Sequence, residues 1–168
     1  MKKLMKKVFV VLGVAVILVA CEKKEPTALE LDSIESKVKV CGYVTYDKKK
    51  NDGATNVVKK ASAEVTIDVA LSQYNSSATG TKRYTATTNA NGYYEIELPV
   101  KEGKSLPVTI NTSFITDCYG YNTIEAAWEN VPGLFKASGT SSILHGQQNV
   151  VDLAAGATTV YPNSPDFH

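Results

Sequence analysis

After Ser36 most of the chain alternates between apolar and polar residues with a period of two. In "KVKVCGYVTY" (37–46) valines alternate with lysines. In "SAEVTIDVAL" (62–71) Val65, Ile67 and Val69 stand opposite Glu64, Thr66 and Asp68, and in "GYYEIELPV" (92–100) Tyr94, Ile96 and Leu98 stand opposite Tyr93, Glu95 and Glu97. Successive side chains of a strand point to opposite faces, so each stretch predicts a strand with one dry and one wet face. Weaker patterns predict strands at Arg83–Thr88, Pro107–Cys118, Ser141–His145, Val150–Leu153 and Thr158–Tyr161. About seven or eight such strands must cover their dry faces with one another, which predicts an all-β antiparallel sandwich. Asn91-Gly92 falls between two runs and suits a tight hairpin turn. "NTIEAAWENVPGLF" (122–135) has weak helical spacing in Ile124, Ala127 and Trp128 that Pro132-Gly133 stops, predicting a short helix or a long loop.

The N-terminal pattern is different. Lys2, Lys3, Lys6 and Lys7 precede 13 uncharged residues, Val8–Ala20, where a membrane-spanning helix needs roughly 20. A basic start and a short apolar segment make a secretory signal peptide. Its end, Leu18-Val19-Ala20-Cys21 followed by Glu22-Lys23-Lys24-Glu25, resembles the lipobox of bacterial lipoproteins. That resemblance implies cleavage before Cys21 and acylation of Cys21, with two or three chains anchoring the protein where one binds only marginally. The expected organisation is a signal peptide over 1–20, a lipidated cysteine and flexible tether over 21–36, and one sandwich domain over 37–168. The expected location is the outer membrane of a Gram-negative cell, on its surface or its periplasmic face, because the acid-containing stretch after Cys21 resembles signals for surface export.

Cleavage changes the charge. Four of the 18 basic residues precede Cys21, leaving 14 against 17 acidic ones, a net charge of −3. A nucleic-acid partner asks for a basic face, so none is expected. Outside the cell Cys41 and Cys118 can pair as a disulfide, although Cys41 carries the outward parity of its strand and Cys118 the inward parity of Val108, Ile110 and Phe114. Neither has a cysteine or histidine at metal-ligand spacing, so no metal or other cofactor is expected.

The residues offer little for catalysis. Nucleophilic hydrolysis needs a base beside a serine or cysteine, and the two histidines are His145, in a predicted strand end or turn, and the terminal His168. Glu95 and Glu97 share one wet face and do not oppose each other across a substrate. The better binding lead is aromatic: Tyr119, Tyr121 and Trp128 are grouped, and flat amphipathic rings suit stacking on sugars or protein contacts.

"GYVTY", "AEVTID" and "YTATTNANGYYEIELPV" together resemble the carboxypeptidase regulatory-like, or transthyretin-like, β-sandwich domains. The matching positions are Gly42 and Val44, Val65 and Ile67, then Thr87, Thr88, Gly92, Tyr93, Tyr94 and Ile96, within about 38–110. The loop 47–60 and the stretch 72–82 are longer than in that family, and nothing after Tyr119 matches it. The resemblance implies a transthyretin-like fold and an accessory, spacer or binding role without a shared catalytic set. The expected function is a non-enzymatic structural or interaction module anchored to the membrane. A cell-surface glycan-binding accessory protein and a pilin-like subunit are the alternatives, with polysaccharide or another envelope protein as partner.

Overall fold

The computed structural model describes residues 36–160, so Cys21, the signal peptide, the tether up to residue 35 and His168 lie outside the described residues. Among the described residues nine strands follow in order: β1 (Lys37–Asp47), β2 (Val57–Lys59), β3 (Glu64–Ala70), β4 (Thr81–Thr87), β5 (Tyr93–Pro99), β6 (Ser105–Asn122), β7 (Ala127–Leu144), β8 (Asn149–Val150) and β9 (Leu153–Val160). A single 3₁₀ turn, Leu71–Gln73, follows β3.

They form an all-β sandwich. In the first sheet β1 is central. One of its edges takes β5 and then β2, both antiparallel, and the other takes β8 and then β9, both parallel. The second sheet runs β4-β3-β6-β7-β9 and is antiparallel throughout. The purely antiparallel expectation therefore fails at β1, whose parallel partners come from the far end of the chain. The sheets share β9: Leu153–Ala155 pair with β1, and the following residues pair with Gly133–Lys136 of β7.

Alternation produces the core as expected. Val38, Val40 and Val44 of β1, Val65, Ile67 and Val69 of β3, and Tyr94, Ile96 and Leu98 of β5 are all buried between the sheets with Ile110, Phe135 and Ile143. Fully burying a side chain of this size contributes roughly 1.5–3 kcal/mol. Tyr46 sits edge-on to Phe135 at 4.9 Å and to Phe114 at 5.6 Å, which ties β1 to the β6–β7 pair.

Asn91-Gly92 does turn the chain, with Gly92 at φ 71° and its N–H on the Asn89 carbonyl. It is not a hairpin, however, because β4 pairs with β3 whereas β5 pairs with β1. The turn carries the chain from one sheet to the other. Buried Thr88 secures the crossing, its hydroxyl accepting from the Ala63 N–H at 2.8 Å and donating to the Lys60 carbonyl at 2.7 Å.

The stretch 122–135 is neither helix nor long loop. Thr123–Glu125 and Ala126 turn the chain, and from Ala127 it becomes β7, paired with β6 over eighteen unbroken rungs from Ser105↔Leu144 to Asn122↔Ala127. Pro132 lies one residue beyond the β9 ladder, where a missing N–H breaks no bond to β9. Gly133 fills a position where a Cβ would stand 2.8 Å from Cys118 Sγ. The Pro-Gly pair thus serves strand geometry and packing.

Cys41 and Cys118 are both free thiols, so the disulfide is not made. Cys118 belongs to the core between the sheets. Cys41 has the outward parity of β1 yet is only 8% exposed, lying between Glu95 of β5 and Val150 of β8. Burial, the largest influence, pushes the Cys118 thiol above its ordinary pKa and keeps it protonated.

The seam where β8 gives way to β9 along β1 is the tightest of the glycine positions among the described residues. A Cβ on Gly42 would stand 2.0 Å from the Val151 carbonyl oxygen. That oxygen accepts a hydrogen bond from the buried Tyr94 hydroxyl at 2.7 Å, whose pKa is raised, by burial above all, so that it stays a donor. Gly42→Ala should lower stability by about 3 kcal/mol or more, the upper end of overpacking costs. Tyr94→Phe should lower it by about 1–2 kcal/mol through the lost bond. Urea unfolding midpoints check both, and a Gly42→Ala protein as stable as the parent would contradict the seam.

Candidate functional site

Two features of the second sheet are candidate contact sites. The first is the apex of its β6–β7 pair. Tyr121 and Trp128 are cross-strand partners, so their side chains share a face, and the rings meet at 5.4 Å with a 58° tilt. Tyr119, two rungs further from the turn and so on the same face, is half-buried like both of them. Ile124, in the turn itself, is 72% exposed. The three aromatic residues singled out from the sequence are therefore brought together.

A loop braces this apex. The Lys48 carbonyl accepts from the Tyr119 N–H at 2.9 Å, taking the edge of β6 that β3 does not reach. Gly53 lies against the Trp128 indole, where a Cβ would stand 2.4 Å from Cζ2, and its φ of 79° is the left-handed conformation glycine adopts without cost. The loop 47–60, longer than in the family the sequence resembles, is not a free excursion. Instead it closes on Asp47, whose Oδ1 accepts from the Lys49 N–H at 2.9 Å and the Asn56 N–H at 2.8 Å, while Oδ2 meets the Lys49 ammonium at 3.1 Å. Burial works to raise the Asp47 pKa, but these donors and the Lys49 charge outweigh it and hold the carboxyl below its ordinary value.

The second feature is a polar groove of about 430 Å³ on the outer face of the second sheet. Its lining includes Glu64 and Thr66 of β3, Arg83 of β4, Asn111 of β6, and Lys136 and Ser138 of β7. Register assembles it: Thr66 pairs with Asn111, which pairs with Ser138, giving one polar row across three strands. The Ser138 hydroxyl donates to the Asn111 side-chain oxygen at 2.7 Å. Arg83 grips Asp68 with both Nε (2.7 Å) and Nη2 (2.9 Å), and this pairing holds the Asp68 carboxyl below its usual range. Sequence reading missed the groove because its residues come from four strands. Only the wet-face alternation of β3 and β6 pointed towards it.

On the other outer face, Tyr43 and Tyr93 meet edge-on at 5.5 Å with Lys59 Nζ 4.1 Å above the Tyr43 ring, so that ring face is already covered. Glu95 is tied to Lys39 at 2.8 Å and to the Tyr93 hydroxyl at 3.0 Å, which lowers its pKa. This wet face is a network of internal pairs. His145 occupies the turn after β7. Among the described residues no cluster of three or more His, Cys, Asp or Glu side chains is placed to hold a metal, and no helix is long and apolar enough to cross a membrane.

Neither a protein-family model nor a curated protein matches this chain. Among solved structures it is similar to the major plantain pollen allergen Pla l 1, at 15% identity over 77% of this chain and 100% of that one, with a TM-score of 0.39.

Trp128 is the single tryptophan of the chain, so its emission reports the brace. Asp47→Ala should free the loop and shift that emission to the red. In the parent the sign of the pH effect follows from the depressed carboxyl: its contribution is complete above the ordinary aspartate value of 3.8 and is lost as pH falls through the lower folded value. Emission should therefore hold steady down to that point and move red below it. Identical emission from Asp47→Ala and parent protein would show that the loop stays in place without its carboxylate.

Proposed function

We propose that this protein is a lipid-anchored, non-enzymatic interaction module of the Gram-negative envelope, presenting the β6–β7 apex away from the membrane that holds it. The observation that carries this reading is the polarity of β1. The chain enters the sandwich at Ser36, whose carbonyl accepts from the Val100 N–H, beside the Lys101–Lys104 turn. It leaves β1 at the opposite pole, where Lys48 meets Tyr119 and Gly53 meets Trp128. The eleven residues of β1 separate these poles by roughly 35 Å. A tether attached at Cys21 thus reaches the pole remote from the aromatic apex, and its fifteen residues up to Ser36 extend at most about 50 Å.

The chemistry of the apex and groove fits binding: stacking rings at one, hydrogen-bonding side chains at the other. The arrangement of signal segment, Cys21 and charged tether supports acylation, and the outer membrane, on its surface or its periplasmic side, is the location this reading assigns. Cys21→Ala should remain unacylated and move from the membrane fraction to the soluble fraction when cells are broken and fractionated. Retention of Cys21→Ala in the membrane with its signal cleaved would overturn the anchor.

A further inference from the structure

The apex and the groove lie on one face of one ribbon. The β6–β7 ladder runs without a register shift over its whole length, so every second rung presents its side chains to the same side. Starting from the Asn111–Ser138 rung in the groove, that side continues across the Ile115–Leu134 rung to Tyr121–Trp128 at the apex. Ten residues separate Asn111 from Tyr121, about 33 Å of strand. Midway, Ile115 is 61% exposed. The strip thus passes from hydrogen-bonding groups through an exposed aliphatic rung to half-exposed rings.

We infer that this strip binds an extended, neutral polysaccharide chain lying along the β6–β7 ribbon. Three observations select that occupant. The strip is long and narrows towards the apex: beyond Asp117 only the two paired strands remain, roughly 10 Å across, flanked on the β6 side by the Lys48–Asn56 loop, a width that suits one extended polymer chain. Its polar end is charge-balanced, Arg83 and Lys136 standing with Asp68 and Glu64, which favours hydroxyl groups over an anionic or cationic polymer. It is also a sheet face, whereas an extended peptide adds to a free strand edge through main-chain hydrogen bonds. Sugar rings carry both an apolar face for Trp128 and Tyr121 and a rim of hydroxyls for Asn111, Ser113 and Lys136. This goes beyond the anchored-module reading and does not depend on acylation.

The test uses detergent-solubilised full-length protein. It is co-sedimented with insoluble neutral β-glucan, mannan and xylan, and run through gels containing alginate as the anionic counterpart. Retention on at least one neutral polymer is expected, weakened about tenfold in Trp128→Ala, the scale of one lost stacking contact. Ile115→Glu places a charge in the middle of the strip at an exposed position and should weaken retention severalfold with an unchanged unfolding midpoint. The inference is overturned if no neutral polymer retains the protein, or if alginate alone does. It is equally overturned if Ile115→Glu binds as the parent does, which would confine the site to the apex. Self-association of the parent that Ile115→Glu abolishes, without polymer binding, would assign the strip to a second copy instead. Fractionation of Cys21→Ala reads the anchor separately.

Discussion

The architecture rests on the absence of a side chain at Gly42. Along one edge of β1 two short strands must follow each other in parallel, and the chain between them has to pass against the β1 backbone. Only a residue without a Cβ admits the Val151 carbonyl there. Around this contact three hydrogen bonds close the gap. The Val151 N–H donates to the Cys41 carbonyl at 2.8 Å, the Tyr94 hydroxyl donates to the Val151 carbonyl, and the Tyr43 N–H finds the Asp152 carboxylate at 2.9 Å in place of a strand partner. A seam that would otherwise leave buried backbone groups unmade is thereby closed. Because β9 starts immediately after it and joins both sheets, the position of the second sheet follows from the seam.

That second sheet carries the aromatic apex and the polar groove. Its β6–β7 pair outruns its neighbours: β3 accompanies β6 only over Thr109–Thr112, and β9 accompanies β7 only over Gly133–Lys136. An isolated two-stranded ribbon is marginal in water. Here the Lys48–Asn56 loop takes the place of the missing neighbour, with Asp47 as its clasp. Rigidity at the apex thus comes from a loop and a carboxylate.

Much of the fold could be read from the sequence, for a simple reason. β1, β3 and β5 are half-buried strands whose dry and wet faces differ sharply, so their alternation is visible residue by residue. β7 is not of that kind. Over Ala127–Gly133 it holds an alanine, the apex tryptophan, Glu129, Asn130, a lone buried valine (Val131) and a Pro-Gly pair, and its regularity comes from the partner strand. Cys41 illustrates another limit: parity gives the face of a side chain but not what neighbouring strands place beside it. The candidate aromatic residues were legible as a group because they are near in sequence. The polar rungs were not, since Thr66, Asn111 and Ser138 meet only through registers between strands that lie far apart in the chain. The parallel pairing of β1 with β8 and β9 was hidden for the same reason.

The shared strand β9 also sets the order in which the molecule can be completed. Val44 pairs with Leu153, 109 residues later, and contacts of such separation carry a large loop-closure cost and form late. A chain arriving amino-end first can form the β6–β7 hairpin early, since its rungs close locally. It cannot join its two sheets until the residues beyond Asp152 have been delivered. The last of the described strands is thus also the clasp of the sandwich: until it arrives the hairpin can exist but the two sheets stay apart.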